Sequence, residues 1–330
     1  MAVSILILSN LDDRLDWLLH RLRFLAEAGH TGEVIVGVWG GYGHISALEG
    51  LAQTLAPRFN LVVVTHANAG LKDVPNRMLD LARRAVNDFV VMQGDDDFLV
   101  PSAFAAPVEL LTRDPGVLCA QGRCLRLGTA LGHDGKFNIN AFSLWQAREE
   151  DPLERFCAFV RHFSFTWHAV YRRAQFIERA GYMARMIEEP HDSVFFEYVG
   201  DLYSAIKGKV VVFDELFMLR GAHEHHTSKK LRQDIAYEMP PYLLLSVHYS
   251  ATYKHFEKLV LELLASKGID TGAPDILKRA LDGLHAFLGW MFYKLRTGRE
   301  AEEISFQQGL SAEPGRSQVS RILQLVHATL

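Results

Sequence analysis

The chain opens on an apolar run, residues 3–8 (VSILIL), that stops at polar Ser9-Asn10. Leu11, Leu15, Leu18, Leu19, Leu22, Leu25 and Ala26 then recur at helical spacing, which predicts a strand followed by an amphipathic helix over 11–28. The pattern repeats. Glu33–Trp39 (EVIVGVW) predicts a second strand ending in Gly40-Gly41-Tyr42-Gly43, residues 45–55 a helix, and Leu61–Thr65 (LVVVT) a third strand. A helix around Pro75–Val86 leads into Phe89–Gln93 (FVVMQ), whose unbroken apolar character suits a strand covered on both faces. Four such steps predict an α/β fold: a Rossmann-like, mostly parallel sheet flanked by helices, with ligands outside the carboxyl ends of its strands.

Beyond Pro101 the pattern is less regular. It predicts a helix near Ser102–Leu111, a strand at Val117–Leu127, a glycine-containing loop over Gly128–Asn140 and a strand at Thr166–Arg172 (TWHAVYR). A helix at Ala174–Ala180, ended by Gly181, and a strand region at Lys209–Arg220 follow. From Pro240 the character changes to long amphipathic helices, approximately 242–266, 274–296 and 316–329. The expected organisation is one domain over 1–238, in halves 1–100 and 101–238, with a helical C-terminal extension over 239–330.

Composition narrows the function. The 330 residues carry 35 Lys and Arg against 39 Asp and Glu, a net charge of −4, and 49% are hydrophobic, as in an ordinary globular protein. A mildly acidic total without a basic cluster argues against nucleic acid as a partner. Cys119, Cys124 and Cys157 include no Cys-x-x-Cys pair, so neither a disulfide framework nor a thiolate zinc site is expected. The N-terminus lacks a basic segment and its apolar run breaks at Asn10 and Asp12, so it reads as a strand and not as a signal peptide. The longest uncharged stretch, about 240–253, is too short for a transmembrane helix. A cytoplasmic protein with small-molecule partners is the expectation.

The sharpest chemical feature is Gly94-Asp95-Asp96-Asp97-Phe98, directly after the FVVMQ strand. Three adjacent carboxylates repel one another, and a divalent cation would relieve that repulsion. Oxygen ligands favour Mg²⁺ or Mn²⁺, which typically complete their shells with water and substrate phosphates. The competing reading is a solvated acidic turn.

With this motif the chain resembles the GT-A glycosyltransferases, particularly bacterial members of family two, over about its first 230 residues. The resemblance implies a nucleotide-binding half over 1–100, an acceptor-side half over 101–238, and sugar transfer from a nucleotide-sugar donor to a glycan or glycoconjugate acceptor. Asp95 and Asp97 match the metal-binding Asp-x-Asp motif, with Asp95 and Asp96 also on the donor; aligning on Phe98 instead makes Asp96 and Asp97 the metal pair. Ser9, Asn10 and Arg14 resemble the pair after the first strand that lies near the nucleotide. Gly70, Asn76 and Arg77 resemble a segment meeting the base or diphosphate, where a guanidinium pairs well with phosphate. Capping Asn and surface Arg are the ordinary readings of the same residues.

Glu188-Glu189-Pro190-His191-Asp192 resembles the segment supplying the catalytic base of inverting members, with Asp192 the candidate; an N-cap is its alternative role. His223-Glu224-His225-His226 resembles a further metal or diphosphate site, implicating His223 or His225, with Arg220, Lys229 and Lys230 near departing phosphate. The chain departs from the family after the second strand, where Trp39-Gly40-Gly41-Tyr42 replaces the usual acidic residue; a base could stack there, or the tryptophan could be buried. Gly40-Gly41-Tyr42-Gly43 also resembles the glycine-rich turn of GT-B glycosyltransferases, although that turn normally follows the first strand. Haloacid-dehalogenase phosphatases share the Asp-x-Asp pattern but place it near the chain start. A sugar-nucleotide-binding protein without turnover is the non-catalytic alternative. The C-terminal helices are candidates for packing on the catalytic domain, for self-association into a homodimer, or for peripheral contact at the inner face of a membrane.

Overall fold

The computed structural model describes residues 2–67, 73–128, 138–141, 144–187, 195–222, 249–297, 304–305 and 324. The first half alternates as its pattern dictates: β1 (Val3–Ser9), α1 (Leu11–Glu27), β2 (Glu33–Val38), α2 (Ile45–Leu55), β3 (Asn60–Thr65), α3 (Val74–Arg84) and β4 (Phe89–Gly94). These strands pair in parallel in the order β4-β1-β2-β3.

After a tight turn come β5 (Asp97–Leu99), α4 (Ala105–Arg113), β6 (Val117–Gly128), β7 (Asn138–Ala141), α5 (Pro152–Arg161), β8 (Val170–Arg172), α6 (Arg173–Met186), α7 (Phe195–Lys207) and β9 (Lys209–Ala222). Helices α8 (Tyr249–Ala265) and α9 (Pro274–Thr297) and the short β10 (Ile304–Ser305) complete the described elements. The second half adds strands mostly antiparallel, so the sheet is mixed: β8 pairs antiparallel with β4 and β6, and β5 antiparallel with β9.

Alternation along the strands sends side chains to two cores. Ile5, Ile7, Val34, Val36, Val91 and Phe98 pack beneath α1, α2 and α4. Leu6, Ile35, Val90 and Met92 face α3, α5, α6 and α7. Phe256, Leu259, Val260 and Leu263 of α8 and Leu284 and Phe287 of α9 are buried in this second core, so the C-terminal helices pack on the sheet domain. Complete burial of an aliphatic or aromatic side chain contributes roughly 1.5–3 kcal/mol each, which ties α8 firmly to α7.

Several elements differ from expectation. Helix α6 runs through Gly181 because Met183 and Met186 still find the core. Helix α5 and the short β5 carried no clear sequence period, and β7 falls in the expected loop. The strand expected over Thr166–Arg172 is only Val170–Arg172, with a turn before it. Among the described residues no helix is long and apolar enough to cross a membrane.

Candidate functional site

The chain leaves β1, builds β2 and β3 on one side of it, then crosses to place β4 on the other. The crevice between the carboxyl ends of β1 and β4 is therefore the point where strand order reverses, the usual ligand position in open α/β sheets. Leu8 pairs with Gly94 in the register, which brings Ser9 beside the acidic turn. There the Ser9 hydroxyl donates to Asp95 Oδ2 at 2.7 Å.

The three carboxylates are buried, with Asp95 9%, Asp96 8% and Asp97 3% exposed, so the solvated-turn reading fails. Their repulsion is met first by arginines. Arg14, on the first turn of α1, has Nη1 3.2 Å from Asp96 Oδ2 and 3.8 Å from Asp95 Oδ1. Arg21 lies two turns further along α1, on the same face. It donates to the Asp96 carbonyl at 3.0 Å and covers the Phe98 ring, its guanidinium carbon 3.2 Å from the ring centre. Burial pushes the Arg21 guanidinium down to about 9 against the opposing pull of Asp97, Asp96 and Asp95. Arg220 stands opposite Asp97 in the β5–β9 register. Burial acts to lower its guanidinium, but Asp97, Cys124 and Asp96 outweigh that and hold it above the usual arginine value. Three arginines thus stand beside the three carboxylates.

Acceptors nevertheless remain in surplus around Asp97. Its Oδ1 is buried without a hydrogen-bond partner, as is Oε1 of Gln93, whose amide nitrogen is held on the Asp97 carbonyl at 2.9 Å. His168, in the turn before β8, puts Nδ1 2.9 Å from the Met92 carbonyl and Nε2 3.5 Å from Asp97 Oδ2. Burial, then Asp96, pushes the Asp97 carboxyl up to about 7 against Arg220 and Arg21, while burial, then Arg220, pushes His168 down to about 3. Buried acceptors without donors are costly, and a cation satisfies several at once. Asp96 and Asp97 could hold one. Among the described residues no three His, Cys, Asp or Glu side chains converge as a complete metal site, so further ligands would be water or phosphate, as is common for Mg²⁺.

Glycine at 94 is required by these carboxylates. A Cβ there would lie 2.6 Å from Asp97 Oδ2 and 2.9 Å from Asp96 Oδ1, both buried and short-stemmed. Gly94→Ala is expected to turn the two carboxylates aside and abolish any Mn²⁺-dependent rise in melting temperature. Calorimetric scans with and without Mn²⁺ check this; an undiminished rise would mean that neither carboxylate meets the ion.

The remaining expected residues divide. Asn10 caps α1, accepting from the Asp12 amide at 3.2 Å, and its side chain packs against Gly40. Gly41 adopts a left-handed φ of 65° tight against Leu11 and Asp12, so these glycines serve close packing of the β2 end on α1. Trp39 is half-buried with the Arg77 guanidinium 4.8 Å from its ring, and Tyr42, 45% exposed, donates to the His66 carbonyl. Arg77 is buried, and burial lowers its guanidinium although Asp73 opposes this; its Nη1 has no hydrogen-bond partner. Asn76 donates to Asp73 at 3.1 Å, on an exposed stretch of α3. Gly70, the 188–192 segment with Asp192, and His223, His225, Lys229 and Lys230 lie outside the described residues. Glu197 is exposed in an otherwise buried stretch of α7 and acts on Arg220.

Sequence reasoning missed Arg21, Gln93 and His168. The spacing of seven between Arg14 and Arg21 was a usable signal; for His168, contributed by a turn distant in sequence, there was none. A cavity of about 590 Å³ lies at the opposite, amino-terminal end of β1, lined by Val3, Gly29, His30, Pro101 and Phe104, away from this chemistry.

No protein-family model and no curated protein sequence matches the chain. Among solved structures it is similar to residues 1–349 of S. aureus TarS at 10% identity and a TM-score of 0.46, covering 92% of this chain and 93% of that one. The same protein in complex with UDP gives 10% identity and 0.47 over 92% and 95%, and in complex with UDP-GlcNAc 11% and 0.41 over 92% and 93%.

Proposed function

We propose that the chain is a metal-dependent, inverting glycosyltransferase that moves a sugar from a nucleotide-sugar donor to a glycan or glycoconjugate acceptor. One observation carries this reading: a buried acidic turn at the strand-order reversal, framed by Ser9 and Arg14 and rich in acceptors without donors. In this reading Asp96 and Asp97 hold Mn²⁺ or Mg²⁺. Asp95, fixed by Ser9 and Arg14, faces the donor. The bound ion would supply positive charge to the donor diphosphate as it leaves.

The chain's own groups do the rest. Arg14 adds cationic charge beside the diphosphate. Trp39 and Tyr42 offer aromatic surface to the base. Asp192 takes the proton of the acceptor hydroxyl; its oxygen forms the new bond to the anomeric carbon from the face opposite the diphosphate. The old carbon–oxygen bond breaks and its electron pair departs with the diphosphate. His223 and His225 remain further ligand candidates in this scheme, and Glu197, which shares Arg220 with the acidic turn, is a second carboxylate on the acceptor side.

The test is a thermal-shift screen of UDP, GDP, CDP and dTDP and their sugars, each with and without Mn²⁺. A ligand present at 100 times its Kd stabilises by about 2.7 kcal/mol, an easily read shift. A shift that needs both metal and nucleotide is expected, and no metal-linked shift with any nucleotide would refute the proposal.

A further inference from the structure

We infer that Phe165 and Trp145 form an aromatic platform that holds the sugar rings of the acceptor beside the acidic turn. The inference deepens the functional reading above, because it takes from it that the acceptor is a glycan.

Four large hydrophobic side chains are exposed among the described residues, and two of them, Trp145 (42%) and Phe165 (40%), rest on one group of rings. The Trp145 indole stacks on the His162 ring, with centroids 4.0 Å apart and planes 23° from parallel. Three residues on, the Phe165 ring stands edge-to-face on Phe163 at 5.4 Å. Phe163 is buried and is itself packed against Tyr198 of α7 and Phe287 of α9. The exposed rings are thus propped from below and are not scattered singly. The backbone is clamped on both sides of the Phe165 side chain: its carbonyl accepts from Gln121 Nε2 at 2.8 Å, and the next amide, of Thr166, donates to Asp201 at 2.8 Å. A ring displayed in this way loses little freedom when a ligand settles on it.

Position and size select the occupant. Phe165 is three residues before His168, whose Nε2 lies 3.5 Å from Asp97 Oδ2. Three residues span at most about 10 Å, so Phe165 stands within a disaccharide's length of the acidic turn, with Trp145 further out. An aromatic side chain has roughly 150–250 Å² to bury, so two rings each about two-fifths exposed present on the order of 150 Å². That is well short of the few hundred Å² of a protein-docking patch and of the roughly 800 Å² per partner in a stable dimer. It matches one sugar face laid on each ring. The C–H groups on that face carry slight positive charge and meet the negative face of the aromatic ring. Exposed Gln146 and Arg161, beside the stacked pair, supply donors for the sugar hydroxyls.

Saturation-transfer NMR of the full chain tests the inference, without metal or nucleotide. The probes are gluco-, manno-, galacto- and N-acetylglucosamine oligosaccharides, from monosaccharide to tetrasaccharide, at millimolar concentration. Transfer to ring C–H protons is expected for at least one series, with affinity rising with length. Phe165→Ala should weaken every member of that series about three- to tenfold, and Trp145→Ala only the longer members. Leucine at either position keeps apolar bulk without a ring face and should be as weak as alanine, whereas Phe165→Trp should bind as the parent does. Both side chains are exposed, so the variants are expected to fold, and melting curves check this. If an alanine variant fails to fold, the leucine and tryptophan variants decide. No transfer to any series, equal binding by the parent and both alanine variants, or full binding by the leucine variants would each overturn the platform. So would a dimer of the parent that either alanine variant abolishes, which would give this face to a second copy of the chain. Saccharide binding through these rings without any nucleotide-linked thermal shift would uphold the platform and retire the transferase reading; a nucleotide-linked shift without saccharide transfer would do the reverse.

Discussion

Replacing Asp97 by asparagine is expected to lower the proposed sugar transfer by about three orders of magnitude while leaving the fold intact. Asparagine matches aspartate in shape, so the turn at Gly94 and the Gln93 contact to the Asp97 carbonyl survive. In the proposed reaction, what is lost is one negative charge beside the cation. Charge stabilisation by a metal ion in such reactions contributes several kcal/mol, and about 4 kcal/mol corresponds to a thousandfold. Stability moves the other way. The Asp97 carboxyl is held up at about 7 chiefly by burial and Asp96, above its unfolded value of 3.8. A group raised in the folded state stabilises below its unfolded value, and that contribution is lost as pH rises through the folded one. Asparagine, always neutral, escapes this loss, so the metal-free variant should gain in melting temperature on the parent between about pH 4 and 7. Rate assays at saturating Mn²⁺ and melting curves across that range measure both. Activity within tenfold of the parent would remove Asp97 from the reacting centre.

The largest effect on folding is expected from Asp201→Ala. Asp201 is 1% exposed and accepts from the Thr166 amide at 2.8 Å and its hydroxyl at 2.7 Å. It also faces Arg179 Nη2 at 3.6 Å, a guanidinium wholly buried among Trp167, Tyr171 and Phe176. Alanine would leave that cation buried and uncompensated, which typically costs about 3–5 kcal/mol. For a chain of this size the melting point should fall by on the order of 10 °C. Asp201→Asn, which keeps an acceptor for Thr166, should fall less. Calorimetry of the two variants separates lost charge from lost hydrogen bonds, and equal, small shifts would show that Arg179 needs no counter-charge. Thr166 stands two residues before His168, so Asp201→Ala should also blur the approach of the imidazole to Asp97.

Much of the first half was legible because its helices and strands bury regular faces. The strands from β1 to β4 and the helices between them lie within about two residues of the positions that periodicity assigns. The acidic turn was legible as chemistry for a related reason, since three adjacent carboxylates at a strand end have few ordinary uses. Their neutralisation was not. Arg21 and Arg220 reach the turn from α1 and β9, and only the three-dimensional arrangement shows that they do. The turn holding His168 was read as strand because TWHAVYR is apolar and β-branched, yet β8 is only three residues long. Helix α5 begins at Pro152 behind the Asp151 cap, signals overlooked because no apolar run preceded them.

The site's two flanks come from remote parts of the chain: Ser9 meets Asp95 across 86 residues, and His168 meets Met92 across 76. Strand β8 must slot between β4 and β6 before the imidazole arrives. Such non-local pairings form slowly. A refolding chain that has joined only β1 to β4 therefore owns the serine and the carboxylates but not the histidine, and the closing of the imidazole onto Asp97 would mark the insertion of β8.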